Sequence, residues 1–433
     1  MSLQKKAFGL WSAVFLGIGS MVGVGIFIVI GEAGAIAGNL VIPAFVLGGL
    51  IALLAGYSLS KLALAYPSRG GVIEYLVQEY GEGYFSGVLG VLFYFSQLID
   101  LSTLIKSFGV YAAACTKWGE TAWVVNGFAL GVLALFVLIN LLGASFVAKS
   151  ENLVVILKLV ALSLFVGAAL LFVDPRYLLA REHPSLLHLF YALGLVFFAY
   201  QGFSVITNSV EDMEDPKMNL PRSMMISIGL VMVLYTLTAV AVLGNLPINE
   251  VMEAKDYALA EAAKPLFGET GFKVMAAVAL VSAMSAINAT LYAATQISYD
   301  LAKKGELPKV YTYNVFHSTE GLLVSALLIV PMVLSMELEE IATVASVVLL
   351  FIHAFVHTGH LLKTKQTNAS RFLVALAALG CYTATFFALL YIYHKLPVAG
   401  WYIVGFFFGA YLLEVGLRYF TGRKIKRQSS TSS

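Results

Sequence analysis

Apolar runs of about 20 residues recur from one end of this chain to the other, and a helix needs about that many to cross a hydrocarbon core about 30 Å thick. About twelve such runs occur, near residues 10–37, 41–65, 85–112, 122–142, 150–173, 187–210, 223–244, 270–300, 321–336, 340–362, 371–394 and 398–420. In lipid every backbone N–H and C=O must be satisfied within the protein, so a chain built of these runs must fold as spanning helices. No polar stretch between them is long enough for a separate soluble domain, which makes residues 1–433 one transmembrane domain. Composition agrees: 12% of the residues are charged, against about 25% in an ordinary soluble domain. The expected fold class is an all-α integral membrane protein with about 12 transmembrane helices, multi-pass in the cell membrane with the lipid bilayer as its surroundings.

A net charge of +2 is too small to suggest nucleic acid as a partner. Cys115 and Cys381, each in or near an apolar run, give neither a disulfide framework nor a metal-ligand spacing, and buried thiols are expected. MSLQKKAFGL opens a run that is too long, and lacks the small-residue cleavage site, for a removable signal peptide. Orientation follows from the basic residues, which favour the cytoplasmic side. With the N-terminus inside, Lys5, Lys6, Lys61, Arg69, Lys149, Lys217, Arg222, Lys303, Lys304, Lys309, Lys363, Lys365 and Arg371 fall on that side, as do the basic residues from Arg418 onward. Lys117, Arg176, Arg181, Lys255, Lys264, Lys273 and Lys395 fall on the other. Both termini are therefore expected in the cytoplasm. Residues 248–268 read as an external amphipathic surface helix, residues 67–83 as its cytoplasmic counterpart, MELEE at 336–340 as a solvated external turn, and 423–433 as a short disordered tail.

Two runs carry more glycine than an anchor needs: LGIGSMVGVGIF at 16–27, with Gly17, Gly19, Gly23 and Gly25, and FFAYQGF at 197–203. Close helix packing through small residues accounts for such patterns. So does a broken helix, whose freed backbone groups are tolerated only where they line a cavity and meet a ligand. That the candidates fall in the first and sixth runs, five apart, fits two five-helix repeats of opposite topology.

At these residues the chain resembles the amino acid, polyamine and organocation (APC) transporter superfamily, and within it the proton-coupled archaeal members. The pieces that carry the resemblance are GVGIF at 23–27, PSRGG at 67–71, FFAYQGFSVITNSVEDMEDPKMNLPRS at 197–223 with Glu211, Pro216 and Pro221, and SYDLAKKGELP at 298–308. It implies an inverted five-helix repeat, spans 1–5 over about 10–173 and spans 6–10 over about 187–362, with spans 1 and 6 discontinuous and accessory helices 11 and 12 over about 371–420. It implies secondary active transport of amino acids by alternating access, with no cofactor and no obligate protein partner. By position, the substrate carboxylate would meet the backbone amides of Gly23, Val24 and Gly25. The ammonium would meet the carbonyls of Met21, Phe198 and Gln201, with Gly202 in the same break. The family often has serine where Val24 stands, which removes a hydroxyl from the carboxylate site. Phe197, Phe198 and Tyr200 are candidates for an aromatic gate. Neutral substrates of broad range are expected, with Asp100 in the third span left without a role.

ENLVVILKLVAL at 151–162 places Lys158 inside an apolar run. Glu151 is two turns away, about 10.5 Å, too far for direct pairing. An ionised lysine at mid-bilayer costs about 2.5 to 3.5 kcal/mol on insertion scales, so such a residue is a functional candidate. The resemblance puts its amine where sodium-coupled relatives hold their ion, facing carbonyls near Gly19 and Val22, with Ser282 or Ser285 across from it. A lysine there would repel sodium, so no sodium site is expected and protons are the coupling ion. A permanently charged Lys158 in a sodium-independent amino-acid or polyamine exchanger remains the alternative.

Lys106 and Asp100 are poorly spaced for a helical pair. His353, His357 and His360 in HAFVHTGH share one helical face, where interfacial packing, metal binding and proton transfer are all open. The chain contains no HExxH, GxSxG or phosphate-binding GK[ST] loop, so an enzyme is not expected. A non-transporting amino-acid sensor would need a signalling domain or long tail, and neither is apparent.

Overall fold

The computed structural model describes residues 9–23, 25–68, 71–142, 147–178, 185–304, 307–315, 318–422 and 425. Among the described residues the chain is all-α but for a short antiparallel pairing of Asn314–Val315 with Ser318–Thr319. In order the helices are α1 (Leu10–Met21), α2 (Gly25–Ala37), α3 (Val41–Ala65), α4 (Val72–Tyr80), α5 (Tyr84–Ala114) and α6 (Ala122–Leu142). Then come α7 (Val147–Leu170), α8 (Pro175–Leu178), α9 (Leu186–Ala199), α10 (Val205–Asn208), α11 (Pro216–Leu243) and α12 (Ile248–Glu253). The last are α13 (Ala258–Glu261), α14 (Lys264–Lys304, kinked at Gly268), α15 (Glu320–Ser335), α16 (Leu338–Thr367), α17 (Arg371–Lys395) and α18 (Pro397–Thr421). Among the described residues nine helical stretches are long and apolar enough to cross a membrane, and α1, α9 and α15 are shorter apolar helices.

The sorting of apolar residues into core and perimeter follows helical periodicity. In α7, Lys158, Leu162, Phe165, Val166 and Ala169 form a buried stripe, while Leu153, Ile156, Leu157, Val160 and Leu164 face outward. Outward leucines and aromatics of this kind cost nothing against hydrocarbon, so Trp123 and Trp401 can stand almost fully exposed on α6 and α18. Helices α5 and α16 form the centre, buried along most of their length.

Several expectations are corrected. The 67–83 segment is not a surface helix: α4 buries Val72 to Val77 and Glu79 inside the bundle, with Tyr80 donating to the Phe355 carbonyl of α16 at 2.6 Å. The 248–268 segment breaks into α12, α13 and the start of α14 rather than one amphipathic helix. MELEE is no loose turn. Glu337 and Glu340 form a reciprocal cap at the start of α16, and Glu339 is ion-paired. Cys115 is exposed, against expectation, whereas Cys381 is buried.

The histidines are buried, not interfacial. His357 Nδ1 and His360 Nδ1 lie 2.9 and 2.7 Å from the Ser58 hydroxyl, and His360 Nε2 lies 2.8 Å from Thr367. Lys106 turns away from Asp100, donating to Asn126 at 2.8 Å and to the Val333 carbonyl at 2.9 Å, near the end of α15. The tail residues 426–433 lie outside the described residues, as does the side chain of Glu151.

Candidate functional site

The first run is broken. The α1 hydrogen-bond ladder ends with the Val22 amide on the Ile18 carbonyl, and Gly23 folds back onto the Met21 carbonyl at 2.8 Å before α2 begins at Gly25. The first amides of α2 have no intrahelical acceptors, so its positive end faces the break. The second break follows α9. Tyr200 and Gln201 donate to the Phe197 and Phe198 carbonyls in tighter, three-residue bonds. Gly202 then adopts φ +105°, a left-handed conformation that favours glycine. The two breaks touch: a Cβ on Gly25 would lie 3.6 Å from the Ala199 backbone, and one on Gly202 would lie 2.6 Å from Ser20 Oγ. A Gly202→Ala protein is expected to lose about 1–3 kcal/mol from backbone strain, seen as a lower thermal-unfolding midpoint in detergent. An unchanged midpoint would mean that the break does not depend on this conformation.

Three tyrosines hold the breaks by their hydroxyls. Tyr235 of α11 donates to the Met21 carbonyl at 2.8 Å, Tyr111 of α5 to Phe27 at 3.0 Å, and Tyr200 to Phe45 of α3 at 2.7 Å. None was legible beforehand, since a tyrosine within an apolar run carries no mark of its acceptor. The Met21 carbonyl, expected to face a substrate ammonium, already accepts from Tyr235 and Gly23, so both its lone pairs are taken.

Lys158 reaches across from α7 and donates to the Gly19 carbonyl at 2.8 Å, in the last turn of α1. A cation suits that position because carbonyls near a helix C-terminus carry partial negative charge. Gly19 allows the approach: a Cβ there would lie 3.0 Å from Val155, three residues before Lys158 on the same helix. Lys158 is 2% exposed.

A cavity of about 990 Å³ runs from the breaks to the end of the bundle where α1 begins. Gly19, Met21, Gly23, Gly25, Lys158, Phe198, Gln201, Gly202 and Ser285 line it. Val22 is buried and not on the wall, and Ser282 is buried with its hydroxyl unpartnered among the described residues. Val24 lies outside the described residues. Of the aromatic-gate candidates only Phe198 faces the cavity; Phe197 packs on Phe203 and His353, and Tyr200 on Tyr235. The Gln201 side-chain nitrogen is buried at the break without a hydrogen-bond partner among the described residues. Asp100, Gln97, Thr290, Gln296 and Asn208 are polar wall residues that the sequence reading did not assign.

The opposite end is shut. The turn between α12 and α13 lies over α2, where a methyl on Gly31 would overlap the Lys255 carbonyl. Lys255 bridges Glu339 at 2.6 Å and the buried Glu32 at 3.4 Å, and Tyr391 donates to Glu339 at 2.5 Å. Burial works against the charge on Lys255, but Glu32 and Glu339 outweigh it and raise its pKa above the ordinary lysine value.

Residues 8–416 match the family described as amino acid permease. An uncharacterized protein of Methanocaldococcus jannaschii is 34% identical over 98% of this chain and 98% of its own. The inner membrane transport protein YbaT of Escherichia coli is 32% identical, over 79% of this chain and 80% of its own. The serine/threonine exchanger SteT of Bacillus subtilis is 29% identical over 70% of each.

Proposed function

Because this chain belongs to the amino acid permease family, within the APC superfamily, we propose that it carries neutral amino acids of broad range across the cell membrane in symport with protons. It is a multi-pass membrane transporter of amino acids, not an enzyme. In the proposed reading twelve spans form an inverted repeat, about 10–173 and about 187–362, with accessory helices over about 371–420 and both termini in the cytoplasm. The cavity then opens inward while the Lys255 bridge closes the outside.

The observation that carries the reading is the Lys158 amine on the Gly19 carbonyl, at the wall of a cavity flanked by two helix breaks. A bound amino acid would set its carboxylate against the amides of Gly23, Val24 and Gly25 at the start of α2. The Gln201 side-chain nitrogen, short of an acceptor, is suited to the same carboxylate. The ammonium would turn to the carbonyls of Phe198 and Gln201, beside Gly202, with Phe198 closing over the substrate. Lys158, with Ser282 and Ser285 across from it and Gly19 and Val22 before it, would gain and lose the coupled proton as the two ends of the cavity alternate in their access to water. A tethered ammonium also removes the place of a sodium ion, and no obligate protein partner enters the reading.

An exchanger is the second reading. It is favoured by the name of one relative, a serine/threonine exchanger, and by the fixed-cation geometry of Lys158. The test is radiolabelled alanine uptake into proteoliposomes under an imposed pH gradient, with and without sodium. Symport predicts accumulation that follows the pH gradient and ignores sodium. Uptake that requires only preloaded internal amino acid, at any pH gradient, would establish exchange instead.

A further inference from the structure

Helix α5 turns Phe93, Gln97, Asp100 and Leu104 into the cavity, at spacings of three and four residues that share one helical face. Asp100 is half-buried there, and among the described residues its carboxylate makes no hydrogen bond or ion pair. The other charged residues on the described wall are Lys158 and Asp300. Lys158 is committed to the Gly19 carbonyl and almost wholly buried, and Asp300 stands exposed at the mouth. The cavity wall therefore holds a carboxyl group without a cationic partner among the described residues, and a charge there is costly unless a cation stands beside it.

Its depth is set by α5. Tyr111, on the same helix, contacts Phe27 just beyond the first break, and Asp100 lies eleven residues back toward the open end. At about 1.5 Å per residue that is about 16 Å below Phe27, or about 10 Å below the break itself. An extended lysine or arginine side chain with a hydrogen bond at its tip covers about that distance when its backbone end rests at the break. Gln97 and Gln296 supply further acceptors on the cavity wall, and Phe93 adds an aromatic ring, a group that attracts cations, to the same wall.

We propose that Asp100 recognises the side-chain cation of basic amino acids, extending the substrate class of this cavity from neutral to lysine- and arginine-like molecules. The inference rests on the amino-acid reading above and deepens it. Lysine and norleucine share a four-carbon side-chain stem, which in lysine ends in an ammonium that norleucine lacks. The contrast between them isolates the charge.

The experiment measures binding of lysine and norleucine to the purified protein by thermal-shift titration, which needs no transport, in wild type, Asp100→Asn and Asp100→Glu. The lysine-to-norleucine affinity ratio is expected to fall at least tenfold in Asp100→Asn and to recover in Asp100→Glu; Asp100→Ser carries the ratio if Asp100→Asn does not fold. An unchanged ratio overturns the inference, and so does a loss of pH-driven alanine uptake with the ratio intact, which would make Asp100 part of proton coupling. Wild type that binds norleucine with no preference set by Asp100 overturns this inference alone. Wild type that binds neither amino acid overturns the amino-acid reading on which it rests.

Discussion

Lys158→Ala is expected to reduce pH-driven alanine accumulation in proteoliposomes to the level of protein-free vesicles. The amine is the cation at the Gly19 carbonyl, 2.8 Å away in the last turn of α1. Its removal leaves that carbonyl end without positive charge and the cavity without its proposed proton carrier. An ionisable group this deep in a membrane protein is costly to keep, which is why such residues are found at ion and proton pathways. Lys158→Arg separates the two proposed modes, because a guanidinium stays charged at every accessible pH. It should lose pH-driven accumulation as fully as alanine while retaining amino-acid exchange, since the fixed cation still satisfies α1. Accumulation against a gradient by Lys158→Ala, driven by pH, would remove this residue from coupling.

The second large effect is expected at Gly31. Helix α2 meets the turn between α12 and α13 so closely that an added methyl would overlap the Lys255 carbonyl and lie 2.8 Å from the Ala258 side chain. Backbone cannot swing aside as a side-chain tip can, so Gly31→Ala opposes closure of the end away from the cavity mouth without touching the breaks. Moving a two-state equilibrium from 1:99 to 99:1 takes about 5.5 kcal/mol, a size that backbone overlap at a packed interface can supply. Turnover should fall at least 100-fold while alanine still binds. The Lys255 bridge holds the same end, and because the Lys255 pKa is raised, its charge is lost only as pH climbs through that raised value, so neutral pH leaves the bridge intact. The readout is labelling of a cysteine placed at Thr290 on the cavity wall, in a protein whose exposed Cys115 is replaced by serine. Wild type should label from the side where α1 begins, and Gly31→Ala should lose that labelling. Equal labelling in both would show that closure does not hinge on this contact.

Much of the architecture is legible along the chain because the bilayer acts on each segment locally. A run of about 20 apolar residues satisfies its backbone within its own helix whatever its neighbours do. Thus the run at 41–65 coincides with α3, and that at 122–142 with α6. The breaks were marked by glycine, since the positive φ at Gly202 and the close approach at Gly19 exclude most side chains. Polarity misled where it was read as exposure. Helix α4 carries two glutamates and reads as a surface helix, yet it is buried against α5 and α16. For the three histidines interfacial packing is one of the readings open in sequence, yet they are buried, and Ser58, about 300 residues earlier, meets two of them.

The sequence by itself determined the apolar runs, the places where helices could break, and the presence of a lysine inside one of those runs. Only the tertiary structure decided which atoms those features meet. The Lys158 amine finds a carbonyl 139 residues away, Tyr235 takes the Met21 carbonyl that a substrate was expected to use, and Asp100 is left facing a cavity with no partner of its own among the described residues. Hydropathy and glycine spacing are properties of neighbours in sequence, whereas a hydrogen bond between helices is fixed by the packing of the whole bundle.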